Sequence, residues 1–196
     1  SSRQTSDEFG SDLGFIRRTG IKSHFIKYGH RIWIDSKKIR SIELSQQLYF
    51  VDTPNMSNLI TDRNYETQGV ISFTNQSRFE ITYNRRYTFL LDDFDPIGGE
   101  KVVPLPADKG FFYNDFEMQF NSNYTKNYYF NFKTTLGQFY SGNRVSFNSE
   151  ITYRIQPKFS SSVKLRYDDI YFPSEYTYGK LFLIGPKLEY TFNKKR

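Results

Sequence analysis

The most informative absence is cysteine, which does not occur in the 196 residues of the chain. A disulfide framework and a thiolate metal site are therefore excluded. No stretch approaches the roughly 18 apolar residues of a membrane-spanning helix. Glycine motifs that bind dinucleotides or phosphates are also missing, so we predict no cofactor. The chain begins with Ser1 and Ser2 and has no signal peptide, which predicts a mature chain or a piece of a longer one.

Neither sign of charge dominates the sequence. Lys and Arg number 27 and Asp and Glu number 21, which gives a formal net charge of +6. The basic residues are scattered, apart from a short cluster at residues 193–196, so we predict no nucleic-acid partner. Aromatic residues are abundant instead, at 19% of the chain. Such a composition favours strands and argues against disorder.

Apolar and polar residues alternate along most of the chain, which is the pattern of half-buried strands. The clearest run covers residues 78–91, where Phe79 and Ile81 alternate with Glu80 and its polar neighbours. The alternation predicts about nine strands of roughly 11 to 15 residues. These strands cover residues 24–34, 38–51, 65–75, 78–91, 111–125, 128–140, 144–155, 159–171 and 178–192. A shorter tenth strand is predicted at residues 13–19.

The lengths of the strands and of their connections indicate the type of sheet. Strands in globular sheets average about five or six residues, fewer than any of these runs contains. Short turns alternate with longer connections, predicted at residues 52–64, 92–110 and 168–177, with the tighter 141–143 also on the longer side. Sorting of loop length by parity is typical of outer-membrane barrels.

The sequence therefore predicts an all-β fold, an antiparallel up-and-down transmembrane β-barrel of about 10 strands or a fragment of a larger barrel. Residues 1–22 would form an N-terminal segment with a short first strand. Residues 23–196 would form the barrel, incomplete at one or both ends.

One face of the predicted strands carries polar residues of both charge signs, which suits a water-filled lumen. The predicted lumen residues are Arg78, Glu80, Arg86, Glu117, Lys133, Arg144, Glu150, Arg154, Lys164 and Arg166. The same pattern would suit the outside of a soluble barrel, so charge alone leaves both interpretations open.

The other face is apolar, and aromatic residues lie at its strand ends as they do in interfacial girdles. The predicted girdle consists of Tyr124, Tyr128, Tyr140, Tyr153, Tyr171, Tyr178, Tyr190 and Phe192. His30, Gln46, Arg85 and Gln138 fall on this face against the pattern. A bulge or a position near the lipid headgroups would explain them, and we expect an irregularity or snorkelling at Arg85 and Arg86.

Candidate site residues are few. His24 and His30 share a strand face and could serve an outer-membrane hydrolase, although an interfacial position is the favoured interpretation. Loop aromatics could stack on sugar rings, although membership of the girdle is favoured for them. These aromatics are Phe94, Phe111, Tyr171, Phe172, Tyr176 and Tyr178. We predict no catalytic residue.

An acidic loop is the main candidate for a metal, and Asp168 with Asp169 is a similar but weaker one. Asp92, Asp93 and Asp95 lie in the loop with Glu100 and Asp108, and oxygen-rich loops can bind Ca²⁺. The spacing fits no EF-hand, so a solvated loop is the favoured interpretation and we predict no metal site.

Two segments resemble a known family. The stretch LGFIRRTG at residues 13–20 is similar to the Gly-Phe-Val-Arg-Arg-Thr stretch of Bacteroidetes-type envelope proteins, and the matching residues run from Gly14 to Thr19. The stretch at residues 167–192 resembles the strand, Pro-containing loop and strand of the same family. Those proteins carry an N-terminal module like carbohydrate-binding family nine and end in a membrane-associated barrel of uncharacterised function. No such module occurs in this chain.

The resemblance implies an outer-membrane location and a link to glycan or polymer handling. We therefore expect a non-enzymatic protein of the bacterial outer membrane that anchors, binds or passes a polymer or solute, within a larger envelope complex. Its expected partners are the lipid bilayer, other envelope proteins or missing segments of the same chain, and a glycan. The alternatives are a soluble β-sandwich that binds carbohydrate and, second, an outer-membrane hydrolase.

Overall fold

The computed structural model describes residues 1–5, 20–53, 59–97, 103–155, 158–173 and 179–192. These residues form a single antiparallel sheet of ten strands that follow one another in chain order. The strands are β1 (Ser2–Thr5), β2 (Ile21–Trp33), β3 (Ile39–Thr53), β4 (Leu59–Phe73), β5 (Arg78–Leu90), β6 (Lys109–Asn121), β7 (Tyr128–Phe139), β8 (Gly142–Ile155), β9 (Phe159–Tyr171) and β10 (Gly179–Tyr190). No helix long and apolar enough to span a membrane occurs among the described residues.

The predicted all-β, antiparallel, up-and-down arrangement is confirmed, and most strand limits lie close to the predicted ones. The first strand is Ser2–Thr5, which pairs with the beginning of β2. The strand predicted at residues 13–19 lies outside the described residues. Within the described part of the chain β1 and β10 do not pair with each other, so the sheet is open there.

The prediction of a long loop at residues 52–64 was wrong. Strand β3 continues to Thr53 and β4 begins at Leu59, so most of the predicted loop is strand. Asp62, Arg63 and Asn64 obscured the alternation because polar residues occupy both faces of the strand here. A register shift between Val51 and Asp52 interrupts the pattern further. The connection from β7 to β8 is also short, so loop length follows parity only in part.

The irregularity expected at Arg85 and Arg86 does not occur. The pairing of β5 with β4 and with β6 runs through both arginines without a shift. Their side chains therefore point to opposite faces of the sheet. The shifts between β3 and β4 lie elsewhere, between Ile39 and Ser41 and between Val51 and Asp52.

The polar face of the described sheet is more buried than the apolar face, which reverses the usual arrangement of a sheet in water. The polar face, which holds Asn84 and Thr152, is the buried one, and these residues are 1% and 2% exposed. The apolar face, which holds Ile81 and Ile151, leaves these residues 45% and 55% exposed. A sheet in water normally buries its apolar side against a second layer, so this burial pattern is inverted.

A conventional apolar core is found only at one end of the described sheet. The connection from β5 to β6 folds back, and its Phe94 and Leu105 form an isolated bridge. Leu105 packs with four residues from strands or strand ends, and we call this cluster the cap. Its members are Leu90, Leu105, Phe111, Tyr113 and Phe172. The cap covers the polar face at the end where the longer connections lie.

Candidate functional site

The centre of the polar face holds a network of charged and amide side chains from β5, β6 and β7. Register places Asn84 directly opposite Asp115, and both are 1% exposed. Asn84 Nδ2 donates to Asp115 Oδ1 at 2.9 Å, and Arg86 Nε donates to Asp115 Oδ2 at 2.8 Å. Arg86 Nη2 also contacts Glu117 at 3.2 Å, and Lys133 forms an ion pair with the same carboxylate. The network joins three strands through alternating charges.

A cavity of about 140 Å³ opens beside this network on the polar face. Its lining is entirely polar or charged and comes from β4, β5, β6 and β7: Glu66, Gln68, Glu80, Thr82, Glu117, Gln119 and Lys133. Gln68 donates to Glu80 at 3.3 Å, which orders one wall. Such a surface offers hydrogen-bond donors, acceptors and both charge signs to a hydrated molecule.

All ten residues predicted to face a lumen lie on the polar face, as the register shows. Most are paired, with Arg78 to Glu80 at 2.9 Å and Arg166 to Asp168 at 2.6 Å. Lys164 and Glu150 are 3.8 Å apart, which is a loose contact. That water fills the space in front of these residues stays a prediction.

Two arginines on the polar face lie over aromatic rings. The Arg144 guanidinium carbon is 4.5 Å from the centre of the Phe139 ring, and that of Arg154 is 5.2 Å from the centre of the Tyr129 ring. Arg154 also donates to the Tyr124 carbonyl. Cation–π contacts of this kind hold long side chains against the sheet.

Two members of the network, Asn84 and Asp115, are not among the site residues predicted from the sequence. They are its most buried members. The alternation within residues 111–125 puts Asp115 on the polar face but does not reveal that it is buried. The missing signal was strand register, because only the pairing of β5 with β6 brings Asp115 beside Asn84 and Arg86.

Most of the predicted girdle residues lie on exposed surface. Tyr128 is 70% exposed and stacks on Tyr153 with ring centres 4.5 Å apart. Tyr171 and Tyr190 are 60% and 58% exposed. The two remaining exposed members are Tyr124 at 65% and Phe192 at 82%. Tyr178 lies outside the described residues.

Tyr140 does not lie with the other girdle residues. It occupies the turn between β7 and β8 with a φ of 53°, and this left-handed conformation directs its ring toward the cap. The ring centre is 5.3 Å from that of Tyr113 and 5.5 Å from that of Phe111. A turn one residue earlier than predicted explains the change of side.

Some of the loop aromatics proposed for sugar stacking are buried in the cap, and others are exposed. Phe111 and Phe172 are 6% and 2% exposed within the cap, so their faces are not available to a ligand. Phe94 packs on Tyr140 at 5.4 Å and keeps 37% exposure. Tyr171 is exposed, and Tyr176 lies outside the described residues.

The two histidines are not part of one site. His24 Nε2 lies 3.1 Å from Asp52 Oδ1, and its ring stacks on Phe50 at 4.4 Å. Among the described residues no hydroxyl group hydrogen-bonds to the His24 ring, and its polar contact is the Asp52 carboxylate. His30 is exposed further along β2.

The acidic loop uses its carboxylates to shape its own backbone. Asp93 Oδ1 accepts from the Ala107 amide and Asp95 Oδ1 from the Ile97 amide, each at 2.8 Å. Glu100 lies outside the described residues. Within the ranges that the structure describes, no three His, Asp or Glu side chains are grouped so that they could hold a metal ion.

Comparison with known families gives one match. Residues 2–179 match the family model described as Domain of unknown function (DUF5916). The match covers nearly the whole chain, including the polar network and the cap. No curated protein and no solved structure matches the chain.

Proposed function

Because the chain belongs to the family described as Domain of unknown function (DUF5916), whose activity is open, we propose a function from the geometry: the sheet is part of the wall of a bacterial outer-membrane β-barrel. Its apolar face contacts lipid, and its polar face lines a wet interior that binds, anchors or passes a polymer or solute. The observation that carries the proposal is the inverted burial of the two faces. Lipid is the medium in which an exposed apolar face is favourable.

Closure of the sheet is part of the proposal. In lipid each backbone N–H and C=O group needs a partner, so an open edge is costly. Strands β2 and β10 are exposed on both faces along much of their length. We propose that further strands, from the same protein or from another envelope protein, pair with these edges.

The polar face supports a non-enzymatic role. Its central residues contact one another through ion pairs and amide hydrogen bonds, which suits a fixed lining better than a set of reactive groups. The cap lies on the same face, at the end of the longer connections. A hydrated solute or a glycan, which presents hydroxyl groups, would find both donors and acceptors along the cavity walls.

The soluble β-sandwich is less well supported. A sandwich packs the apolar faces of two sheets together, but the described residues form one sheet whose apolar face is uncovered. For the hydrolase, the specific observation is the contact of His24 with Asp52, which supplies a candidate base, with no hydroxyl group hydrogen-bonded to it among the described residues.

Detergent dependence and permeability test the proposed function together. The full chain should be aggregated without detergent and monodisperse with it, and it should float with liposomes after reconstitution. Liposomes that contain it should swell in a small sugar faster than empty ones if the barrel is open. A monodisperse monomer in detergent-free buffer would contradict the membrane location, whereas insertion without swelling would favour anchoring or binding over passage.

A further inference from the structure

Two arginines lie on the apolar face, where the alternation predicts apolar residues. Arg63 in β4 and Arg85 in β5 are both exposed. Register pairs Arg63 with Tyr87 and Tyr65 with Arg85, so the two arginines are diagonal neighbours on adjacent strands. Diagonal neighbours lie roughly 7–8 Å apart at the backbone, which is within reach of one small anion for side chains of this length. We call them the arginine pair.

No counter-ion for the arginine pair is found in the described part of the chain. Neither guanidinium makes an ion pair or a side-chain hydrogen bond there, unlike Arg78, Arg86 and Arg166 on the polar face. Asp52 lies toward the same end of the sheet, but its carboxylate contacts the His24 ring instead. The pair is thus positive charge without compensation from its described neighbours.

The surroundings of the arginine pair are aromatic and amide groups. Tyr87 packs on Phe112, which is 66% exposed, with ring centres 4.5 Å apart. Asn114 lies opposite Arg85 and donates to Gln138 Oε1 through its backbone and its side chain, at 3.0 and 3.2 Å. A polar row therefore crosses β5, β6 and β7 at this height. It also accounts for Gln138, which fitted the sequence pattern badly.

The height of this row has a physical meaning if the apolar face contacts lipid, and the inference rests on the proposed function in this respect. An arginine among hydrocarbon chains is costly, and the cost falls to about 0–1 kcal/mol near the interface. Aromatic rings with a polar edge concentrate at the same level. The row thus marks the headgroup region on the side of the longer connections.

We propose that the arginine pair binds the phosphate of an anionic lipid headgroup. Phosphate offers the oxygen acceptors that a guanidinium recognises in a bidentate manner. Tyr65 and Tyr87 flank the site and supply ring surface for the neighbouring lipid. The pair would fix the rotation and depth of the sheet in its leaflet.

The test measures lipid binding to the full chain in a neutral, non-ionic detergent. Native mass spectrometry would count phosphatidylglycerol and phosphatidylcholine bound to the wild type, to Arg63→Gln, to Arg85→Gln and to the double variant. Arg78→Gln is the matched control, because it removes an arginine from β5 on the opposite face. We expect phosphatidylglycerol affinity to fall about fivefold for each single change and about thirtyfold for the double variant. Arg78→Gln should remain at the wild-type value. Phosphatidylcholine has the same phosphate but a choline cation that offsets its charge, so it should bind more weakly than phosphatidylglycerol and lose less affinity in each variant of the arginine pair.

Unchanged phosphatidylglycerol affinity in both single variants would overturn the inference. A loss of the same size in Arg78→Gln would also overturn it, since binding would then follow total charge. In either case the proposed function survives as long as the wild type still needs detergent and floats with liposomes. If the wild type does neither, the proposed function fails, and the inference fails with it.

Discussion

The cap and the rest of the described sheet, which we call the body, bury largely different kinds of side chain on the same face. In the cap, Leu105 and Phe172 are 1% and 2% exposed, as in the core of a soluble protein. Further along the same face the most buried residues are Asn84 and Asp115. The difference follows from what lies against each part. The folded-back loop contributes Leu105 to the cap, whereas Asn84 and Arg86 hydrogen-bond to Asp115 in the body of the sheet.

This contrast shows that alternation reports two faces without saying which one is inside. A loop that supplies apolar side chains turns the polar face into a conventional core locally. Outside the cap, most of the buried residues of the described sheet are polar, and most of the large apolar residues remain exposed on the other face. Changes at matched positions in the two parts should therefore have different, and sometimes opposite, effects.

The largest effect is expected in the cap. Phe172→Ala should lower the free energy of unfolding by about 4 kcal/mol, because it opens a cavity among fully buried apolar groups. Phe182→Ala is the matched control, since Phe182 is 62% exposed on the apolar face of β10. Guanidinium unfolding in the same detergent would measure the free energy of unfolding of the two variants, and the loss should be smaller for Phe182→Ala. Equal losses would mean that the cap is not a distinct core.

The second prediction contrasts the two faces within β8. Phe147→Glu should destabilise the protein in a bilayer by about 3 kcal/mol, because it places a charge and loses apolar surface on the lipid side. Its neighbour Asn148 lies on the polar face opposite Lys133 and Arg166, so Asn148→Glu should be neutral or slightly stabilising. Unfolding from liposomes provides the measurement. A neutral Phe147→Glu, as expected for an exposed ring in water, would contradict the lipid assignment.

The third prediction concerns the buried network. Asp115→Ala should cost about 2 kcal/mol, less than the loss of a fully buried pair, because Arg86 is partly exposed and keeps Glu117. Asn114→Ala, at the adjacent position on the opposite face, should cost less than half as much. Denaturant midpoints of the two variants would show the order. If Asp115→Ala were tolerated as well as Asn114→Ala, the network would not organise the body of the sheet.

The smallest effect is expected where the polar face is open. Glu150 and Lys164 are 3.8 Å apart and their side chains are 29% and 64% exposed. Glu150→Gln should therefore change the free energy of unfolding by less than about 0.5 kcal/mol. A loss comparable to that of Asp115→Ala, measured in the same titration, would show that the face is uniformly coupled instead of being organised around Asp115.

Much of the sheet could be predicted from the sequence, since strands such as 78–90 and 159–171 alternate cleanly and their faces follow from parity. Register could not be predicted, because it depends on which residues of two strands pair, and so the contact of Arg86 with Asp115 was missed. The cap could not be predicted either. Its loop residues carry no period, and Tyr140 turns inward because of a backbone angle that alternation does not encode.

The side of the sheet that faces lipid is tested most directly by cysteine labelling, because the chain has no native cysteine to interfere. Single variants Phe147→Cys and Ile151→Cys lie on the apolar face, and Asn148→Cys and Glu150→Cys lie on the polar face. The full chain would be placed in liposomes and treated with a charged, water-soluble maleimide.

We predict that the two polar-face cysteines react at least about tenfold faster than the two apolar-face cysteines, because hydrocarbon excludes the reagent. Exposure alone predicts no such advantage for position 150, since the Glu150 side chain is 29% exposed and Ile151 is 55% exposed. Labelling in denaturant should be equal at all four positions and serves as the control. Faster reaction at Phe147→Cys and Ile151→Cys in liposomes would contradict the account.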